Sequence, residues 1–495
     1  MTKDEVQQLT EEGVRRELQS QPHLLLRLAE NALGVAESLR DNYFKNTAKL
    51  VAAVRRSMSA ASEGKRDPIL SYETLNGARW QDHQDEVCTF IDGGVGSVEI
   101  SRQVPILLRV GSYSVRTGET RLREREAFGY YPVILGDLEG GSKDRKDFID
   151  VVRITAELLG GLSALFRTHD ARVLFFHGPL VYLVGSYAGH SPFTERDIDL
   201  LLGHYGATPE IGRDLKEKFL NEAYVTIYPQ ISQNYANWVK QRVFEPLSFM
   251  AFLYRQLMVI AKSRSPIPVI AGVVERGALR EFSEKILLER IFRGLRQKGN
   301  GNYFNEMFGR DDLNSPAVLI DRLGYNDTLL LGMVLKPGQM SESWTVDKYS
   351  GLRHGDVILP GSAVKERVDF SPLQKPEIGF PTVRAAYMHV SPITEPVRVE
   401  VFDAGLGDDQ IIEASRRAYL YSRLLPGYGF PVGLDIVDKV AKVPAWMTDA
   451  YGKLIRWQLG VSLQQGEISD AQMRELLVQA IYITHRDWLF RPAAR

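Results

Sequence analysis

Two polar residues end apolar, β-rich runs and are followed at once by glycine: Asp92 in EVCTFIDGG and His177 in VLFFHG. A polar side chain at the end of a central strand sits where open sheets collect ligands. The glycine after it lets a ligand approach the backbone closely. A carboxylate there is a hard oxygen donor suited to Mg²⁺ or Mn²⁺, and an imidazole suits Mn²⁺ better than Mg²⁺. The plainer account of an aspartate before glycine is a turn. Three more carboxylates lie in helical runs. Glu157 lies in a helical run, where it also reads as an ion-pair partner of Arg153 four residues earlier. Asp435 and Asp438 open a late helix, where they also read as an N-cap and a helix-terminus charge.

Several elements must position these side chains. The stretch from Val87 to Val115 predicts three strands, at Val87–Asp92, Gly96–Ile100 and Pro105–Val115. A long helix is expected over Arg145–Phe166, with Phe148, Val151, Ile154, Leu158 and Leu162 at helical spacing. ARVLFFHGPLVYLV after it reads as a strand buried on both faces. PIPVIAGVVE predicts another buried strand, VRVEVFDAG an alternating one, and IIEASRRAYLYSRLL a helix before the glycine loop GYGFPVG. The first 58 residues predict helices, with Thr2 and Glu5 as a capping box. There the stripe Ala36, Leu39, Tyr43, Leu50, Val54 must be covered by the chain's own core or by a dimer partner. Ser59–Arg66 reads as a loop. The expected organisation is an N-terminal helical region over 1–85, a first core part over 86–299, a Gly- and Pro-punctuated insertion over 300–395, and a last core part over 396–495.

Composition removes other functions. The 495 residues carry 61 Lys+Arg against 62 Asp+Glu, so no global field draws the chain to nucleic acid or membrane. One cysteine, Cys88, allows neither an internal disulfide nor a cysteine-rich zinc cage. The start has no apolar signal core, and no apolar run approaches the ~18 residues of a membrane span, so a soluble, cytoplasmic chain is expected. No phosphate-binding loop, zinc-protease helix or serine elbow is present, so the chain is not expected to hydrolyse ATP itself. Lys262 and Arg264 precede the PIPVIAGVVE strand and Arg276 follows it; they are candidate phosphate contacts or solvated surface charge. SGLRHGD, with Arg353, His354 and Asp356, reads as a surface turn.

Three strands, a helix and a fourth strand, in that order, resemble the core of ribonuclease H-like nucleases. More specifically, FIDGGVGSVEI, VVRITAELL, VLFFHGPLV, PVIAGVVER, VRVEVF and GYGFPVGLDIVDKVAKV resemble the NurA nuclease family, in family order from Asp92 to Lys442. The resemblance implies an α/β fold with a ribonuclease H-like mixed sheet. It implies a Mn²⁺-dependent (or Mg²⁺-dependent) nuclease that acts 5′-to-3′ on DNA ends and cuts single strands. It also implies a homodimer docked on a HerA-like hexameric ATPase, in DNA-end processing or phage defence. Asp92 and Glu157 match metal ligands and Tyr428 a late-motif tyrosine expected to orient substrate. The chain departs from the family at two places. His177 stands where an aspartate is usual, and Asp435 and Asp438 stand where the late motif often ends in histidine. That pattern fits an exchange of ligands, or else a weakened enzyme retained as an adaptor that caps the ATPase. A guide-dependent binder of the Argonaute kind is a further alternative.

Overall fold

The computed structural model describes residues 22–62, 70–97, 106–121, 126–135, 142–180, 193–205, 208–221, 243–244, 246–277, 279–346, 382–465, 470–475 and 478. The Thr2/Glu5 capping box and the SGLRHGD turn lie outside the described residues. The chain forms two compact units, one of Met1–Ser71 with Ala278–Val334 and one of Tyr72–Gly277 with Leu335–Arg495. The 300–395 stretch is therefore divided between them.

The first unit is helical. Helix α1 (Pro22–Ser38) runs through a π-helical segment (Leu39–Phe44) into α2 (Lys45–Ser62), so Ser59–Ser62, expected in a loop, are helical. Of the predicted stripe, Leu50 and Val54 are fully buried, whereas Leu39 is 44% exposed. Tyr325 donates a hydrogen bond to Thr47 in this interior. The buried carboxylate of Asp327 accepts from the backbone amides of Phe282 and Ser283, capping from outside the helical run that enters Ser283–Leu288.

The second unit is built on a ten-stranded mixed sheet. Its strands are β1 (Tyr72–Thr74), β2 (Val87–Ser97), β3 (Ile106–Arg116), β4 (Glu126–Leu135), β5 (Ala171–His177), β8 (Val269–Val274), β9 (Gln339–Ser341), β10 (Trp344–Thr345), β11 (Val383–His389) and β12 (Val397–Phe402); β6 (Phe193–Thr194) and β7 (Val243–Phe244) pair apart from it. The order is β1-β9-β11-β12-β8-β5-β2-β3-β4, with β10 on β11. Strands β2, β3 and β4 form an antiparallel meander, while β5 and β8 run parallel to β2. The β4-β3-β2-β5-β8 half is thus the ribonuclease H-like arrangement, and β12, β11, β9 and β1 extend it.

Two strand assignments change. The run expected at Val87–Asp92 continues through Gly96 and Ser97 as one 11-residue strand, paired with β3 from Val87↔Arg116 to Ser97↔Ile106, while the rest of the expected Gly96–Ile100 run lies outside the described residues. The third strand of the meander is β4, in a stretch where the sequence predicts no strand. Pro132 lies within it, and proline is tolerated there because β4 is the edge of the sheet.

Helix α3 (Ser142–Arg167) crosses one face of the meander, as its spacing predicts, with Val151, Ile154, Leu158 and Leu162 buried. Beyond α4 (Glu195–Tyr205) and α5 (Pro209–Asn221), α6 (Pro246–Lys262) packs on α3. Helices α7 (Glu289–Gln297), α8 (Tyr303–Phe308), α9 (Pro316–Leu323) and α10 (Asp327–Val334) belong to the first unit. On the other face of the sheet lie α11 (Asp408–Ser422) and α12 (Val432–Ala441), followed by α13 (Ala445–Gln464). Phe90, Phe175, Val399, Val401, Ala414, Ala418, Leu434 and Val437 form the core there. Strand β12 is buried along its whole length. Its alternation marks no solvated face: Arg398 and Glu400 pair with each other at 2.8 Å in the interior.

Candidate metal centre

Strand alternation sets the two sides of the site. On β2, Cys88 and Phe90 face the core shared with α11 and α12, so Asp92 falls on that face too. On β5, Phe175 faces the same core, so His177 lies on the same side as Asp92. Pairing of β2 with β5 ends at Ile91↔Phe176, while β2 continues beside β3. Asp92 and His177 therefore stand next to each other where two parallel neighbours part. The Nδ1–H of His177 donates to Asp92 Oδ2 at 3.0 Å, since a carboxylate can only accept. Asp92 Oδ1 takes the Gly93 amide at 2.8 Å.

Helix α12 supplies the third side chain. It comes close enough because glycines stand on both sides of the contact, Gly94 on β2 and Gly433 on the helix itself. A Cβ on Gly94 would strike the Ala441 carbonyl, and one on Gly433 would strike the ring of fully buried Phe90. Arg109 of β3 donates to the Lys442 carbonyl at 2.8 Å and holds the helix C-terminus. Seated in this way, α12 brings Asp438 to the pair: ligand atoms of Asp92, His177 and Asp438 all lie within 4.8 Å of one another.

Of the five side chains expected to hold metal, this grouping excludes two. Asp435 is engaged elsewhere, accepting from Tyr428 Oη at 2.9 Å and from Lys439 Nζ at 2.6 Å. Glu157 lies under Gly93 on the α3 face, where a Cβ on Gly93 would come within 2.6 Å of its Cγ. There it accepts from Arg153 Nη1 at 2.5 Å, and its residue is only 3% exposed.

Electrostatics follow from this placement. Burial raises the Glu157 carboxyl to about 7; Arg153 pulls against that rise and Asp92 adds to it. Burial disfavours the imidazolium of His177, but the hydrogen bond and charge of Asp92, joined by Asp438 and Glu157, outweigh it and raise its pKa. Asp435 is held low, first by the hydrogen bond from Lys439. Burial and the bond to Asp435 push Tyr428 up to about 12.

A cavity of about 480 Å³ adjoins the cluster, lined by Arg276, Tyr428 and Phe430 together with the carboxylates Glu275 and Glu395. Phe430 packs edge-on against His177, with ring centroids 5.5 Å apart, and so joins cavity to cluster. The three cations expected to meet phosphate separate. Arg276 follows β8 at the sheet end that carries His177 and lines this cavity. Lys262 and Arg264 precede β8, at the opposite sheet end. Arg264 donates to the carbonyls of Leu165 and Thr168, where it closes the end of α3.

Sequence reasoning missed some of what holds the site. Leu180 is gripped from both sides, its amide by Glu400 at 2.8 Å and its carbonyl by Tyr254 Oη at 2.6 Å, which fixes the turn after His177. No local signal marks Glu400 or Tyr254, which are far from His177 in sequence. The glycines of GYGFPVG and IDGG were the available signal for the seat of α12.

Residues 280–443 match the family model of the NurA domain, a stretch that includes Tyr428, Asp435 and Asp438 but neither Asp92 nor His177. A comparison with curated proteins finds no match. Similar solved structures include the NurA nuclease from Sulfolobus solfataricus, at 12% identity over 88% of this chain and 96% of that one, with a TM-score of 0.44. A NurA with manganese is similar at 12% identity over 86% and 96%, TM-score 0.37. A NurA bound to dAMP and manganese is similar at 11% identity over 84% and 92%, TM-score 0.33.

Proposed function

We propose that the chain is a metal-dependent nuclease that hydrolyses phosphodiesters at DNA ends. The observation that carries the reading is the convergence of Asp92, His177 and Asp438 from β2, β5 and α12. Two carboxylates and one imidazole fit a single divalent cation, and the nitrogen favours Mn²⁺ over Mg²⁺. Such an ion would polarise the scissile phosphate and lower the pKa of a bound water. The residues have separate tasks. Asp92, anchored by the Gly93 amide, and Asp438, carried by the seated helix, hold the ion. His177 completes the set once the proton it carries toward Asp92 is lost. Arg276 meets phosphate charge, and Tyr428, braced by Asp435, orients the strand in the adjoining cavity. Lys262 and Arg264 are not part of this face.

The reading extends to a 5′-to-3′ exonuclease and single-strand endonuclease, working as a homodimer in the cytoplasm. A HerA-like hexameric ATPase would feed it DNA, in end processing or phage defence. Near-zero net charge suits a chain that receives DNA from a motor rather than capturing it from solution. Among the described residues no helix is long and apolar enough to cross a membrane.

The test is Asp92→Ala in a digestion assay on linear DNA with Mn²⁺. Cleavage should fall by about 10³-fold or more while the circular dichroism spectrum is unchanged. Wild-type protein that digests nothing with either metal would favour the weakened, ATPase-capping adaptor instead.

A further inference from the structure

On the reading that this site holds a catalytic cation, we propose that it takes one ion and not two, because Arg153 occupies the place of the second charge. The residues divide into two neutralised sets. On the α12 face of the sheet, Asp92 and Asp438 converge with His177, and their two negative charges match one divalent cation. On the α3 face, the buried carboxyl of Glu157 is held by the guanidinium of Arg153 at 2.5 Å, which meets its charge whenever it is ionised. The backbone of β2 runs between the sets, with Gly93 directly over Glu157.

A second divalent ion would have to be held by Glu157 together with Asp92. That requires Arg153 to leave a carboxylate whose side chain is 4% exposed, in a place with little water to replace it. With Arg153 present, a second ion would also carry the cluster to a net positive charge. The guanidinium is permanently charged and cannot clear the site by losing a proton. Arg153 is itself tied down further, with Asp150 at 4.0 Å from its other nitrogen. Arg153 is thus a positioning residue that fixes Glu157 and sets the number of ions.

The test is a Mn²⁺ titration of the full chain by calorimetry, with electron paramagnetic resonance of the bound ion. Wild type should take one Mn²⁺ per chain and give an uncoupled six-line signal. Arg153→Gln should admit a second Mn²⁺ and show spin coupling. Because that variant strips a buried carboxylate of its partner, Glu157→Gln provides a second comparison: it should keep one ion with affinity within about threefold of wild type. Two ions in the wild type, or more than about tenfold loss of affinity in Glu157→Gln, would overturn the proposal and leave the metal reading standing. A wild-type chain that binds no Mn²⁺ at all would instead remove the metal reading itself.

Discussion

On the proposed reading, His177 is the residue on which the chemistry turns. A histidine in place of a carboxylate at this strand end gives up one negative charge and gains a nitrogen donor. It also gains a proton that must depart before a metal can bind. Its neighbours hold that proton: Asp92 accepts from it, and Asp438 and Glu157 add their charge. The side chain was visible in the sequence because it ends an apolar run before glycine. Its partners were not all visible, because Asp435 and Asp438 sit three residues apart on one helix and either fits a metal-binding pattern. What separates them is the lysine–tyrosine pair that claims Asp435. Two substitutions follow from the donor set. His177→Ala should weaken Mn²⁺ binding by about tenfold or more, the equivalent of one lost ligand at ~1.4 kcal/mol. His177→Asp should shift the preference toward Mg²⁺, since the set becomes all oxygen. Calorimetric titration with both metals checks this, and an unchanged Mn²⁺/Mg²⁺ ratio in His177→Asp would show that the imidazole is not a ligand.

At the scale of elements, the site depends on one helix lying unusually close to a sheet. The glycines of β2 looked like breaks between strands because glycine in a strand interior weakens it. Gly94 is instead the floor on which the end of α12 rests, Gly93 leaves room for Glu157 on the other face, and the strand continues through them because β3 pairs along its full length. The sequence predicts no strand at β4, although an edge strand accepts the proline and glycine it contains. Long periodic elements such as α3 and the run of β5 were legible because burial on a helix or central strand writes a strong apolar pattern. Close approach writes only small residues, which have several meanings. Gly433→Ala tests the seat directly. The added methyl meets Phe90, which is stacked on Phe175 and Tyr113 and has nowhere to go. We expect a loss of about 1–3 kcal/mol in chemical denaturation and a Mn²⁺ affinity lowered in the same variant, because Asp438 moves with its helix. Loss of stability with metal affinity intact would mean that α12 does not set the position of Asp438.

At the scale of the whole molecule, folding, protons and metal are linked through the same few groups. The folded chain holds Glu157 near 7, above its ordinary 4.5, so its neutral form is favoured. That contribution is complete below about 4.5 and is lost as pH rises toward 7. His177 is raised above its ordinary 6.5, so its charged form is favoured; its contribution is present below 6.5 and is lost as pH climbs through the raised value. Both act in the same direction, and the metal-free protein should lose melting temperature steadily from about pH 5 to pH 8. On the proposed reading, a divalent cation held by Asp92, His177 and Asp438 would take the place of the proton on His177 and offset the repulsion between the two carboxylates. Its stabilising effect should therefore grow over the same interval, approaching ~2.7 kcal/mol at a hundredfold excess over Kd. Scanning calorimetry at several pH values, with Mn²⁺ and with a chelator, measures both trends. The two melting curves should lie close together near pH 5 and separate as pH rises, and Asp438→Asn should abolish the separation. A Mn²⁺ shift that is constant with pH, or that survives in Asp438→Asn, would place the bound ion somewhere other than this cluster.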